Sequence, residues 1–165
     1  MDTNILVSGM VFAGKERKLL DAIIDGKLEL VLSDDVIDEA NEVLRRKFPK
    51  QAILFPLFLR LVKQRIPKSA SKGYEGRYAG LIGDEADVPV LAATAVSRAD
   101  YFVSGDKGIL ALKRIGDTEI IRTSKLLKKL RNLKTVHGDL KVPGLLRVAI
   151  QQTGLSSWSG HGAPL

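Results

Sequence analysis

Five acidic residues fall where apolar runs end or helices begin: Asp2, Glu39, Asp84, Asp87 and Asp106. In an open α/β sheet, ligands bind outside the carboxyl ends of the strands, so acids gathered at such an edge point to a cation. Anions held close together repel, and a divalent cation resolves the repulsion. The sequence has no Cys, and its two histidines, His137 and His161, lie in the last third, which leaves an all-oxygen ligand set. Oxygen donors suit Mg2+ or Mn2+ better than Zn2+. Carboxylate-held Mg2+ mostly serves phosphate chemistry, activating a water and neutralising charge on the phosphoryl group and leaving oxygen.

Taken singly, each acid has a simpler reading. Asp87 continues a row with Leu91 and Ala95 and can be a helix N-cap. Glu39, three residues after Val36 and four before Val43, can be an edge residue of an apolar helix face. Asp106, in Ser104-Gly105-Asp106, can be a turn residue. Asp2 near the chain start carries nothing by itself. Their coincidence is what points to a site.

The segments that must position these acids alternate between strand and helix patterns. Asn4–Val7 reads as a short strand, broken by Ser8–Gly14. Lys15–Asp25 sets Leu19, Leu20, Ile23 and Ile24 at helical spacing, with Gly26 as its C′ residue. Leu28–Leu32 reads as a strand. Ser33 can cap the next helix, whose first turn is acidic (Asp34, Asp35) and whose end is basic (Arg45, Arg46, Lys47), matching the helix dipole. Gln51–Arg65 is apolar and helical but must kink or split at Pro56. Pro67–Gly83, with four glycines, is expected to be a mobile loop. Val88–Arg98 is a helix with Pro89 in its first turn. Tyr101–Ser104 and Glu119–Arg122 read as strands separated by a short helix from Lys107 to Arg114, and Ser124–Leu133 as a basic helix capped by Ser124.

Beyond Lys134 the pattern decays. Val142–Ile150 reads as one more short helix and Ser156–Leu165 as a polar, Gly-rich tail. The alternation predicts an α/β domain with a mostly parallel sheet, spanning residues 1–133, followed by a partly helical or disordered extension over residues 134–165.

The 165 residues are 45% hydrophobic and 27% charged, too apolar for a disordered chain and too evenly charged for a membrane span. The absence of Cys excludes disulfide scaffolds and thiolate chemistry. Asp2 directly after Met1 leaves no basic and apolar leader regions, so a soluble, cytoplasmic protein without membrane contact is expected. Residues 1–106 carry 15 Lys and Arg against 16 Asp and Glu, whereas residues 107–165 carry 11 against 3. All the excess positive charge therefore sits in the last third, as in proteins that meet polyanions, although a solvated basic helix without a partner has the same composition.

Asp2-Thr3-Asn4, Ser33 with Glu39 six residues on, Asp84-x-x-Asp87 followed by Leu91-Ala92-x-x-Ala95, and Ser104-Gly105-Asp106 together resemble the PIN-domain nucleases. They are most similar to the toxin components of toxin–antitoxin systems, of which the VapC-type toxins are the best known. The resemblance runs from Met1 to about Leu130; each motif is weak alone, and the ordered set is specific. It implies a PIN-like three-layer domain with a mostly parallel sheet of four or five strands flanked by helices. It also implies a Mg2+- or Mn2+-dependent ribonuclease in which Asp2, Glu39, Asp87 and Asp106 are the catalytic, metal-binding carboxylates. Thr3, Asn4, Asp84 and Ser104 would support them.

RNA is the implied substrate, with Lys107, Lys128, Lys129 and Arg131 as candidate contacts. A small antitoxin is the implied protein partner, and a homodimer through the apolar Ala52–Leu61 stretch is a further expectation beside ordinary core packing. The other readings are a non-catalytic nucleic-acid-binding module and an RNA-maturation nuclease with no toxin role. The sequence departs from the family pattern at its start. Relatives place several apolar residues before the first aspartate to form the central strand, and here only Met1 precedes it. A first strand lacking its opening half is expected to leave that part of the sheet underfilled.

Overall fold

The computed structural model describes residues 3–66, 75–78, 88–137 and 146–150. Among these, six strands form one sheet: β1 (Leu28–Ser33), β2 (Val62–Ile66), β3 (Tyr101–Val103), β4 (Arg114–Ile115), β5 (Thr118–Ile121) and β6 (Leu146–Ile150). Their order is β2-β1-β6-β3-β5-β4. Every pairing is parallel except the β4–β5 hairpin. The helices are α1 (Thr3–Val11), α2 (Lys15–Ile24), α3 (Asp34–Lys47), α4 (Pro49–Ala52), α5 (Phe55–Phe58), α6 (Glu75–Tyr78), α7 (Val88–Ser97), α8 (Lys107–Ala111) and α9 (Thr123–His137).

Period-two alternation along the strands builds three layers. Leu28, Leu30, Leu32, Val103, Ile121 and Val148 point to one face and pack with α1, α2, α3 and Leu126 of α9. Phe102, Ile120 and Ala149 point to the other, against Val90 and Leu91 of α7 and Ile109 of α8. Val31 and Ile66 meet Ala93 of α7 on that same side. A parallel sheet covered on both faces is the expected α/β architecture.

Local sequence explains several boundaries as anticipated. At the end of α2, Gly26 takes φ +69. Its N–H donates to the Ile23 carbonyl at 3.0 Å, and the Lys27 N–H donates to the Ala22 carbonyl at 2.9 Å. That pair of bonds is a Schellman stop, which favours a residue without a Cβ. Ser33 ends β1 and caps α3, its hydroxyl accepting from the Val36 N–H at 3.4 Å. Pro89 stands in the first turn of α7, where no N–H is needed.

Several segments differ from the sequence reading. Asn4–Val7 is not a strand but part of helix α1, with Ile5, Leu6 and Val7 all buried. A run of consecutive apolar residues fits a helix covered all round as well as a buried strand, and periodicity cannot separate them. Gly9 allows α1 to cross close to α2. A Cβ there would fall 2.8 Å from Leu20 Cδ1 and 2.9 Å from the Glu16 carbonyl oxygen. Because one of those atoms is backbone, Gly9→Ala is expected to destabilise the protein by about 1–3 kcal/mol in urea denaturation.

Gln51–Arg65 does divide near Pro56, into α4 and α5, but its end is the edge strand β2. Of the Ala52–Leu61 stretch, Phe55 and Phe58 enter the core, whereas Ile53, Leu54 and Leu57 are exposed. Helix α9 begins at Thr123, one residue before the expected cap. The Arg122 carbonyl accepts from the Lys125 and Leu126 N–H groups, which places Ser124 inside the first turn. Most consequential, residues 146–150 are not helical. They form β6, parallel to β1 on one side and β3 on the other, with Val148 and Ala149 wholly buried. β6 thus takes the central place between β1 and β3. Of the expected Pro67–Gly83 loop, Glu75–Tyr78 forms one helical turn, and the rest lies outside the described residues.

Candidate active site

The carboxyl ends of β1 and β3 deliver the two described acids. β1 ends at Ser33, the cap of α3, and Glu39 stands one and a half turns into that helix. β3 ends at Val103, and Ser104-Gly105-Asp106 leads from it into α8. One strand, β6, separates β1 from β3, so their axes are about 10 Å apart at ordinary strand spacing.

Each acid is held by a short side chain. The buried Thr3 hydroxyl, at the start of α1, donates to Glu39 Oε2. That bond fixes the half-buried Glu39 on the inner side of α3. Ser104 is buried, and its hydroxyl accepts from the Asp106 N–H at 3.0 Å. Asp106 is exposed and caps α8, its Oδ1 accepting from the Ile109 N–H at 2.9 Å. The turn reading and the site reading of Asp106 are therefore compatible. One carboxylate oxygen serves the helix, and the other oxygen of the same group is a donor suited to a hard cation.

Of the expected supporting residues, Thr3 and Ser104 thus contact their acids or the adjoining backbone, and Asn4 is exposed on α1. Asp2, Asp84 and Asp87 lie outside the described residues. Among the described residues no group of three or more His, Asp or Glu side chains is gathered in one place.

The basic residues divide. Lys107 directly follows Asp106 and is exposed at the same edge. Lys129 lies elsewhere. Its Nζ donates to Glu119 Oε2 at 2.6 Å and stands 5.0 Å from the centre of the Tyr101 ring. Tyr101 and Glu119 are register partners at the starts of β3 and β5, so this cluster occupies the opposite edge of the sheet. α9 runs back from the carboxyl end of β5, which carries the exposed Lys128 and Arg131 toward that far edge as well. The sequence alone gave no means to tell which lysine of the basic run meets Glu119 ten positions upstream.

Lys129 donating to its carboxylate, with Lys125 adding to the effect and burial opposing it, holds Glu119 below the ordinary value of 4.5. The same hydrogen bond raises Lys129 above its ordinary 10.5, burial again opposing and Tyr101 assisting. A depressed carboxylate contributes stability above its unfolded value and loses it as pH falls through its folded value; a raised lysine contributes below its unfolded value and loses it as pH rises through its folded one. The pair therefore contributes fully between 4.5 and 10.5. Both side chains are partly solvated, so Glu119→Gln is expected to cost about 0.2–1 kcal/mol at neutral pH. Thermal melts of the two proteins should converge as pH falls below 4.5.

A mostly parallel three-layer α/β domain, with Glu39 bonded to the Thr3 hydroxyl and Asp106 capping α8 at the carboxyl edge of its sheet, has the architecture that binds ligands at that edge. The family model for the PIN domain matches residues 1–108, and the chain belongs to this family, whose members are generally nucleases that use divalent metal ions. No curated protein and no solved structure matches the chain. Among the described residues, no helix is long and apolar enough to cross a membrane.

Proposed function

We propose that the protein is a divalent-metal-dependent endoribonuclease, the toxin of a toxin–antitoxin pair. The observation that carries the nuclease reading is the pair of anchored carboxylates, Glu39 on Thr3 and Asp106 beside Ser104, at the carboxyl edge of a PIN-domain sheet. All-oxygen donors of this kind fit Mg2+ or Mn2+. Glu39 and Asp106 would hold the ion, together with Asp2 and Asp87 by their positions in the sequence motifs. When bound, the ion supplies an activated water and neutralises charge on the phosphodiester.

The chain's own residues then do the rest. Thr3 keeps the Glu39 carboxylate oriented, and the α8 cap bond keeps Asp106 at the end of β3. Lys107, exposed directly after Asp106, would meet a phosphate of the bound strand. No side chain forms a covalent bond to the substrate. The toxin role follows the motif resemblance, and the exposed Ile53, Leu54 and Leu57 are the proposed contact of a homodimer.

Incubation of the purified protein with a generic RNA tests the nuclease reading. Cleavage that needs Mg2+ or Mn2+ and stops with EDTA is expected. RNA that is bound and left intact under both conditions would make this a binding module instead. An adjacent reading frame for a small protein that arrests the cleavage separates a toxin from a maturation nuclease.

A further inference from the structure

β1 and β3 do not pair with each other; β6 lies between them and is the strand that joins β2-β1 to β3-β5-β4. The first of these halves leads to Glu39 and the second to Asp106. The two halves are therefore joined through a strand that begins forty residues after Asp106 in the chain.

The start of that strand is gripped on both sides. The Arg147 N–H donates to Asp100 Oδ2 at 2.7 Å, and the Arg147 carbonyl accepts from the Asp100 N–H at 2.9 Å. Arg147 Nε lies 3.8 Å from Glu29 Oε2, and Glu29 is its register partner on β1. The Arg147 side chain thus lies beside Glu29 of β1, while its backbone is held by Asp100, the residue before β3. A slip of one residue would put Leu146 or Val148 in that position. It would also turn Val148 and Ala149, each buried on its own face, to the wrong sides of the sheet.

We infer that Arg147, its side chain beside Glu29 and its backbone held by Asp100, is a positioning residue that fixes the register of β6 and, through β6, the spacing of the Glu39 and Asp106 halves of the site. The second half of this statement rests on the nuclease reading given above; the first does not.

The absence of native Cys makes a crosslink test direct. In the full chain, Glu29→Cys with Arg147→Cys introduces the only two thiols, and mild oxidation is expected to join them within one molecule, read as lost free thiol and a linked peptide pair. Glu29→Cys with Val148→Cys, whose side chains belong to opposite faces, is expected to stay reduced. Arg147→Ala, assayed well below its melting temperature, is expected to lower kcat for metal-dependent RNA cleavage about ten- to a hundredfold with KM little changed. Arg147→Lys should restore part of the rate, and the oxidised double-cysteine protein should cut faster than its reduced form. Failure of the matched pair to crosslink, or equal crosslinking of the mismatched pair, overturns the register assignment. A folded Arg147→Ala protein with unchanged kcat overturns the positioning role. If the unmodified protein cuts no RNA while the matched pair still crosslinks, the nuclease reading and the positioning role fall together and the register assignment stands.

Discussion

Asp106→Asn is expected to leave the protein folded and to lower metal-dependent RNA cleavage at least about a hundredfold. Loss of a supporting partner alone costs ten- to a hundredfold in metal sites, and this change removes the charge of a proposed ligand itself. The substitution separates the two tasks of Asp106. Asn keeps an oxygen that can accept from the Ile109 N–H, so the α8 cap survives. Asp106→Ala loses both tasks and is expected to cost about 0.5–2 kcal/mol in stability as well. Urea denaturation and a cleavage assay on the same samples check both halves. An Asp106→Asn protein that cuts normally would leave the residue as a helix cap and nothing more.

Ala149→Asp is expected to prevent folding at ordinary temperatures. Ala149 pairs with Val31 on one side and Phe102 on the other, and none of its surface is exposed. An aspartate there would bury a charge without a partner in the middle of a sheet covered on both faces. Removing the partner of a buried charge costs about 3–5 kcal/mol, a large part of the roughly 5–15 kcal/mol that holds a domain together. Loss of far-ultraviolet helix signal, or a urea midpoint near zero, is the readout. Ile24→Asp, at a position 52% exposed, is the matched control and should cost little by comparison. If Ala149→Asp melts like the parent protein, residues 146–150 do not sit at the centre of the sheet.

Much of the frame was legible because local signals agreed with one another. Around β1, α2 and α3, helical spacing, Gly26, the Ser33 cap and the charge bias at both helix ends all predicted the observed boundaries. Glu39 and Asp106 were legible near the sheet edge for the same reason, since Glu39 follows β1 and its Ser33 cap and Asp106 follows β3 and is itself a cap. What escaped was long-range. Ile5, Leu6 and Val7 satisfy a strand and a fully buried helix equally, and the α2 and α3 surfaces that α1 packs against are not written in that segment. Leu146–Ile150 is short and apolar, and its strand partners β1 and β3 lie more than a hundred and nearly fifty residues away. A similar blindness applied to Lys129: a basic run shows that charge is present, but not which lysine is consumed by Glu119 and Tyr101.

The late position of β6 also has a temporal consequence. A chain grows at about 5–20 residues per second and its leading segments fold first, so the 47 residues from Val103 to Ile150 arrive over about 2–9 s. Throughout that interval β1 and β3 each present an unpaired inner edge, the kind that adheres to other strands. Sequence-distant pairings also close slowly. A ribosome-bound chain that already carries Glu39 and Asp106 therefore still lacks the strand that lies between their halves of the sheet. On the nuclease reading proposed above, cleavage is deferred until residues 146–150 have been made, and synthesis proceeds beside its own message with the site still unassembled.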